Sequence, residues 1–259
     1  MTTAARAPAL VTGAGRRIGR AIALALAGAG HDVAVHYRGS RDEAQAVADE
    51  IAALGRRAVL VQADLAFEDQ ARDVVAEAAA ALGPLGVLVN SASTFHDDRV
   101  GTLGRATWDL HFETNLRAPL VLAEAFAAQA PEGAPESAPG GAAIVNILDQ
   151  RVLKPNPQFF SYALSKSALA TATVMLAQAL APRVRVNGVA PGPTLASIHQ
   201  DAAIFAAEAA ATLLGRPVDP DEIARAVLWL VDARATTGQI IAVDAGQHLA
   251  WRTPDILEP

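Results

Sequence analysis

The chain has no cysteine among its 259 residues, which excludes disulfides and thiolate metal sites. Lysine is almost missing too. Lys154 and Lys166 are the only two, and arginine supplies the remaining 19 basic residues. No block of basic residues occurs and the net charge is −6, so nucleic acid is not expected as a main partner. The six histidines (31, 36, 96, 111, 199 and 248) show no His-x-x-x-His or comparable ligand spacing, so no metal site is expected. No uninterrupted apolar run reaches the ~18 residues of a membrane span. A strand-like segment at 9–12 leaves no room for a signal peptide. These absences predict a cytoplasmic protein without a membrane partner.

What is present is apolar and alternating. Hydrophobic residues make up 52% of the chain, enough for one large α/β domain over 1–259. Strand-like runs fall at 9–12, 32–37, 58–61, 86–89, 142–147, 184–189 and 240–243. Helical patterns fall between them at 18–29, 42–54, 68–82, 105–128, 161–180 and 221–231. Nearly continuous apolar strands alternating with helices predict a parallel sheet covered on both faces. Right-handed crossovers make it a doubly wound, Rossmann-type sheet of seven strands. The low-complexity stretch at 131–141 (PEGAPESAPGG) reads as a mobile surface insertion. The segment 193–214 is less organised, with a helical patch among small residues, and suits a flap over a pocket.

Tyr162 and Lys166 carry the chemistry. They form Tyr-x-x-x-Lys, one helical turn apart on one face. An ammonium beside a phenol favours the phenolate and lowers the pKa from its usual ~10, which makes the tyrosine a usable acid and base. Where arginine dominates so strongly, a retained lysine at this spacing points to chemistry rather than to surface charge.

The turn after the first strand is Thr12-Gly13-Ala14-Gly15-Arg16-Arg17-Ile18-Gly19. Its glycines permit a tight turn, and the following helix N-terminus supplies N–H groups to a pyrophosphate. At the end of the second strand an NAD-preferring site usually has an acid for the ribose hydroxyls. This chain has His36-Tyr37-Arg38-Gly39-Ser40-Arg41 there instead. With Arg17 in the adjacent turn, these donors suit a 2′-phosphate and predict NADPH. Asp64-Leu65 follows the third strand, Asn90-Ser91-Ala92 the fourth, and Pro191-Gly192-Pro193-Thr194 the sixth. All lie at carboxyl ends of strands, where such sheets bind ligands.

Together, Thr12-Gly13…Gly19, Asp64, Asn90-Ser91-Ala92, Asn115, Tyr162…Lys166, Pro191-Gly192 and Thr237-Gly238…Asp244-Ala245-Gly246 resemble the short-chain dehydrogenase/reductase family over essentially the whole chain. The resemblance implies a nicotinamide cofactor and a homotetramer. It makes Tyr162 the acid/base. Lys166 then holds the nicotinamide ribose and lowers the Tyr162 pKa, and Asn115 supports a water-linked proton path.

Two departures point within the family. Arg17 stands where the family has glycine, and Asp149 stands where it has a catalytic serine. Both, with His36-Tyr37 and Ser93-Thr94-Phe95, resemble the pteridine reductase branch, which includes dihydromonapterin reductases. That branch implies a pterin substrate stacked on Phe95, with Arg17, Ser93, Asp149 and Tyr162 at its polar edge. Asp149 is then either a second proton donor or an orienter of Tyr162 or of the pterin amino group. Read without the resemblance, Asp149 is a turn cap. The alternatives are an NADPH-dependent carbonyl reductase and a catalytically silent nucleotide sensor. The run Gln150-Arg151-Val152-Leu153-Lys154 is unusually basic for a pocket wall, and neither reading uses it.

Overall fold

The computed structural model describes residues 6–130, 141–197 and 199–251. The chain runs β1 (Arg6–Val11), α1 (Arg17–Gly28), β2 (His31–Tyr37), α2 (Arg41–Ala53), β3 (Ala58–Gln62), α3 (Glu68–Leu82) and β4 (Val87–Asn90). It continues through α4 (Arg105–Phe112), α5 (Ala118–Gln129), β5 (Ala142–Ile147), α6 (Phe160–Leu180) and β6 (Val184–Pro191). It then passes α7 (Ala202–Ala210) and α8 (Pro220–Asp232) to β7 (Ile240–Val243). The seven strands form one sheet in the order β3-β2-β1-β4-β5-β6-β7, and every pair is parallel. The order reverses direction between β1 and β4, which opens a crevice at their carboxyl ends.

Strand alternation explains how both faces are covered. On β1, Ala9 and Val11 join one core with Ile22 and Leu26 of α1, Val47 and Ile51 of α2 and Ile223 and Val227 of α8. Leu10 between them joins the other core, with Val74 of α3, Leu122 and Phe126 of α5, and Ile144 and Val186. Both side-chain sets are apolar because both are buried, so the strands read as continuous hydrophobic runs. Proline at the first turn of α8 and the reciprocal Asp219–Glu222 cap fix where that helix begins.

The helix expected over 105–128 is not one regular helix. A π-helical segment, Glu113–Arg117, separates α4 from α5 and carries Asn115. The extra residue in that turn rotates Asn115 inward, where it is fully buried. α5 is apolar almost all round, so its sequence carries no periodicity in which a one-residue insertion would show. The flap expected at 193–214 does contain a helix, α7, capped by the Asp201 side chain on the Ile204 N–H at 2.8 Å. Residues 131–140 of the expected insertion lie outside the described residues.

α6 has the length and mean hydropathy (1.2 over its most apolar window) of a membrane span. Its inner face, with Leu169, Thr173 and Ala177 buried, is part of the domain core. Its outer face leaves Leu164, Val174 and Met175 exposed.

Candidate active site

The Gly-rich turn is held from below. The Thr12 hydroxyl oxygen accepts from the Ser91 and Ala92 N–H groups at 2.9 and 3.0 Å, which ties the β1 turn to the end of β4. A Cβ on Gly19 would lie 2.2 Å from the Gly13 carbonyl oxygen, so α1 starts against the turn only because residue 19 has no side chain. At the other end of the crevice a Cβ on Gly192 would lie 2.6 Å from the Asp244 Cα. Pro191 ends β6, and the Thr194 hydroxyl closes the next turn on the Gly192 carbonyl at 3.0 Å. Arg17 adopts a left-handed φ of 57°. That conformation disfavours a Cβ and accounts for the glycine usual there.

Three expectations for this end change. His36 is not a cationic phosphate ligand. Its Nδ1 accepts from the Gly13 N–H at 3.0 Å, so its Nε2 carries the hydrogen and donates to the Ala63 carbonyl at 3.2 Å. Burial pushes its pKa down to about 4, and the ring is a neutral brace between β1 and β3. Arg17 donates to the Leu195 and Ala196 carbonyls, both at 2.9 Å, so it clamps the flap to the turn rather than pointing to the end of β2. The Tyr37 ring is buried, and its hydroxyl accepts from Arg41 at 3.2 Å. Arg16 and Arg38 remain exposed there, and Ser40 Oγ lies within 3.4 Å of where a Gly15 Cβ would stand. No acidic side chain occupies positions 36–41. Asp64 spends one oxygen on the Ala66 N–H at 3.0 Å, and the neighbouring Leu65 is buried. Asn90 donates to Asn146 at 2.8 Å across β4 and β5.

The chemistry-bearing side chains meet where β5, the β4 loop and α6 converge. Asp149 follows β5, and one of its oxygens accepts from the Arg151 N–H at 2.8 Å, capping a short turn. The other oxygen accepts from the Tyr162 hydroxyl at 2.9 Å. Cap and active-site contact are thus the same carboxylate. Lys166, one turn along α6 and buried, donates from Nζ to the Ile147 carbonyl at 2.8 Å. Its Nζ is 5.9 Å from the Tyr162 ring centre.

The electrostatics differ from the sequence expectation. Burial, and then the adjacent Asp149 carboxylate, hold the Tyr162 phenol well above its ordinary pKa. Burial also pushes Lys166 down to about 8, against the pull of Asp149. Tyr162 is therefore kept protonated by burial and by Asp149 rather than ionised by Lys166.

The Asn115 side chain is fully engaged. Its side-chain oxygen accepts from Ser93 Oγ and the Thr94 N–H at 3.0 and 2.9 Å. Its amide donates to the Thr94 carbonyl and Ser165 Oγ at 3.0 and 3.2 Å. With two acceptor and two donor sites committed, this side chain locks the Ser93 loop onto α6.

Phe95 faces this cluster, with its ring centre 4.6 Å from that of Tyr162 in an edge arrangement. Phe159 stacks on it at 4.1 Å. The His199 ring of the flap lies 5.7 Å away, and its Nε2 is 3.2 Å from the Phe95 carbonyl oxygen. Sequence reasoning missed Phe159 and His199. Phe159 has a left-handed φ of 52° at the start of α6, a strain that no residue type announces.

Also unforeseen is a buried Asp98–Ser161–His111 group that fixes the residue before Tyr162. The Ser161 N–H donates to Asp98 Oδ1 at 3.0 Å, and its hydroxyl donates to Asp98 Oδ2. The His96 N–H donates to His111 Nε2 at 3.1 Å, so His111 Nδ1 carries the hydrogen and donates to Ser161 Oγ at 2.6 Å. The serine proton goes to the aspartate and not to the histidine, so this is a brace and not a nucleophile with its base.

Comparison with known proteins agrees with this geometry. The family model described as Enoyl-(Acyl carrier protein) reductase matches residues 13–248. An uncharacterized oxidoreductase of Methylorubrum extorquens is 35% identical over 246 residues, covering 92% of this chain and 96% of the relative. The 3-oxoacyl-[acyl-carrier-protein] reductase FabG of Staphylococcus epidermidis is 33% identical over 248 residues, covering 93% and 98%. Among solved structures, FolM Alternative dihydrofolate reductase 1 from Brucella canis, in complex with NADP, superposes with a TM-score of 0.89 at 48% identity, covering 97% of this chain and 98% of that one. The seven-stranded parallel sheet, the Tyr162–Lys166 pair on α6 and these matches place the chain in the short-chain dehydrogenase/reductase family of oxidoreductases.

Proposed function

We propose that the protein is an NADPH-dependent reductase of a C=N bond in a pterin or folate-like ring. The observation that carries this reading is the Asp149–Tyr162 hydrogen bond, 2.9 Å long, beside the Phe95 ring. A carboxylate at that position suits a heterocycle with N–H and amino donors, whereas a ketone oxygen gains nothing from it. A flat ring gains from stacking on Phe95. The 48% identity to the Brucella canis FolM protein supports the same reading.

The close approach of α1 to the turn at Gly19 and the free helix N-terminus fit a dinucleotide pyrophosphate. Arg16, Arg38 and Ser40 would take the 2′-phosphate, and Lys166 the nicotinamide ribose. When bound, NADPH supplies the hydride to the C=N carbon. Tyr162 gives its proton to the nitrogen, which becomes strongly basic as the hydride arrives. A phenol held protonated by burial and Asp149 donates only to such a base. Lys166 offsets the phenolate charge left behind until solvent returns the proton. Asp149 holds the ring's N–H edge and keeps Tyr162 aimed.

The apolar outer face of α6, with Leu164, Val174 and Met175, supports a subunit interface and the homotetramer. A cytoplasmic setting is the companion proposal. The second reading is a carbonyl reductase, favoured by the 33% identity to FabG. Purified protein with NADPH, tested against dihydropterins, dihydrofolate, quinonoid dihydropteridine and a ketone panel, separates the two. Oxidation of NADPH with ketones alone would replace the pterin reading.

A further inference from the structure

The basic run after β5 has no part in the reduction of the ring. Its arginine, Arg151, is placed unlike a structural one. Its side chain is only 15% exposed. Its Nη1 reaches the two Asp149 oxygens only at 3.5 and 3.4 Å, beyond good hydrogen-bond range. Its Nε is buried and has no partner. The guanidinium carbon is 5.8 Å from the Phe95 ring centre and 5.4 Å from that of Phe159, so it stands alongside the stacked pair. Arg185 shows how this fold treats a structural arginine. Its guanidinium donates to the Leu230, Val231 and Ala233 carbonyls at 2.7, 2.6 and 3.0 Å. A desolvated guanidinium with weak partners, next to the reacting groups, is poised for something else.

We propose that Arg151 is a specificity residue that receives an anionic tail, carboxylate or phosphate, on the side chain of the heterocyclic substrate. This rests on the pterin reading of the same site. Asp149 and Tyr162 take the ring's polar edge and Phe95 its face. Arg151 lies beside the aromatic pair, where a substituent leaving the ring passes. Its planar fork matches a carboxylate or phosphate, and a neutral tail offers it no comparable acceptor. Leaving Asp149 costs Arg151 a buried ion pair of long contacts, 3.5 and 3.4 Å, which an anionic tail would replace at closer range. Asp149 keeps the Arg151 N–H and the Tyr162 hydroxyl, at 2.8 and 2.9 Å.

The test compares three substrates with one ring: a 6-methyl dihydropterin, dihydrofolate, and a dihydropterin whose side chain ends in a phosphate ester. The quantity read is the ratio of kcat/KM with tail to kcat/KM without, for wild type, Arg151→Gln and Arg151→Lys. NADPH fluorescence titration checks that both variants bind cofactor. A charged hydrogen-bond pair predicts a wild-type preference of about tenfold or more for one anionic substrate. Arg151→Gln should collapse that ratio, and Arg151→Lys should restore part of it. The substrate showing the preference identifies carboxylate or phosphate. A wild-type ratio near one overturns the proposal and leaves the pterin reading standing. So does an equal loss on tailed and tail-free substrates in the variants, which is what a structural arginine gives. No turnover of any dihydropterin by wild type ends both.

Discussion

Asp149→Asn tests the electrostatic centre of the site. The Arg151 N–H and the Tyr162 hydroxyl donate to separate carboxylate oxygens at 2.8 and 2.9 Å, and asparagine keeps one of those acceptors and replaces the other with an NH2 donor. With the cap on the Arg151 N–H retained by that oxygen, Tyr162 loses both the charge and its acceptor. Hydrogen bonds to a charged partner are worth about 1.5–3 kcal/mol against roughly 1 for neutral ones. Losing at least that difference at Tyr162 and at the ring's N–H edge should lower kcat/KM for a dihydropterin by about 10- to 100-fold. A second readout isolates the cause. The chain has only two tyrosines, Tyr37 and Tyr162, so the difference between wild type and Tyr162→Phe isolates the Tyr162 part of an ultraviolet phenolate titration. Burial and Asp149 hold the Tyr162 step above the ordinary phenol range, so Asp149→Asn must move it down. If turnover falls while that step stays where it is in wild type, Asp149 is not what keeps Tyr162 protonated. If neither changes, the carboxylate is only the cap of its turn.

Tyr162→Phe should abolish turnover while NADPH still binds, and substantial retained turnover would transfer the proton donor's role to another group. The pH profile of reduction should fall as pH rises through about 8, because the Lys166 ammonium lost there is what offsets the phenolate charge. Tyr162, held protonated, does not titrate first, so an alkaline limb displaced to the Tyr162 step would contradict the assignment. Arg17→Gly relieves a left-handed φ of 57° but releases the flap carbonyls. Thermal stability should change by no more than about 1 kcal/mol, while KM rises. An effect confined to NADPH, with NADH unaffected, would return Arg17 to the 2′-phosphate. Light scattering at micromolar concentration should give a tetramer mass, and a monomer would refute the role given to the outer face of α6.

The seven strands were legible because their burial on both faces writes continuous apolar runs into the sequence, and Ala142–Ile147 is found where its pattern put it. Gly19 and the Tyr162–Lys166 pair were legible because their roles depend on residue type and a fixed local spacing. The side-chain partners of Arg17, His36 and Asn115 were not. Each is decided by what stands opposite: the Leu195 carbonyl, the Gly13 N–H and the Thr94 main chain. Those partners are distant in sequence or released by a π turn. Arg151 was visible only as an oddly basic position. The sequence determined which groups the chain has and the sheet that gathers them. Tertiary structure alone decided their protonation and partners, because a pKa or a hydrogen bond is set by desolvation and by neighbours a few ångströms away. Tyr162 shows the difference: local spacing pairs it with Lys166, but the fold brings Asp149 to its hydroxyl.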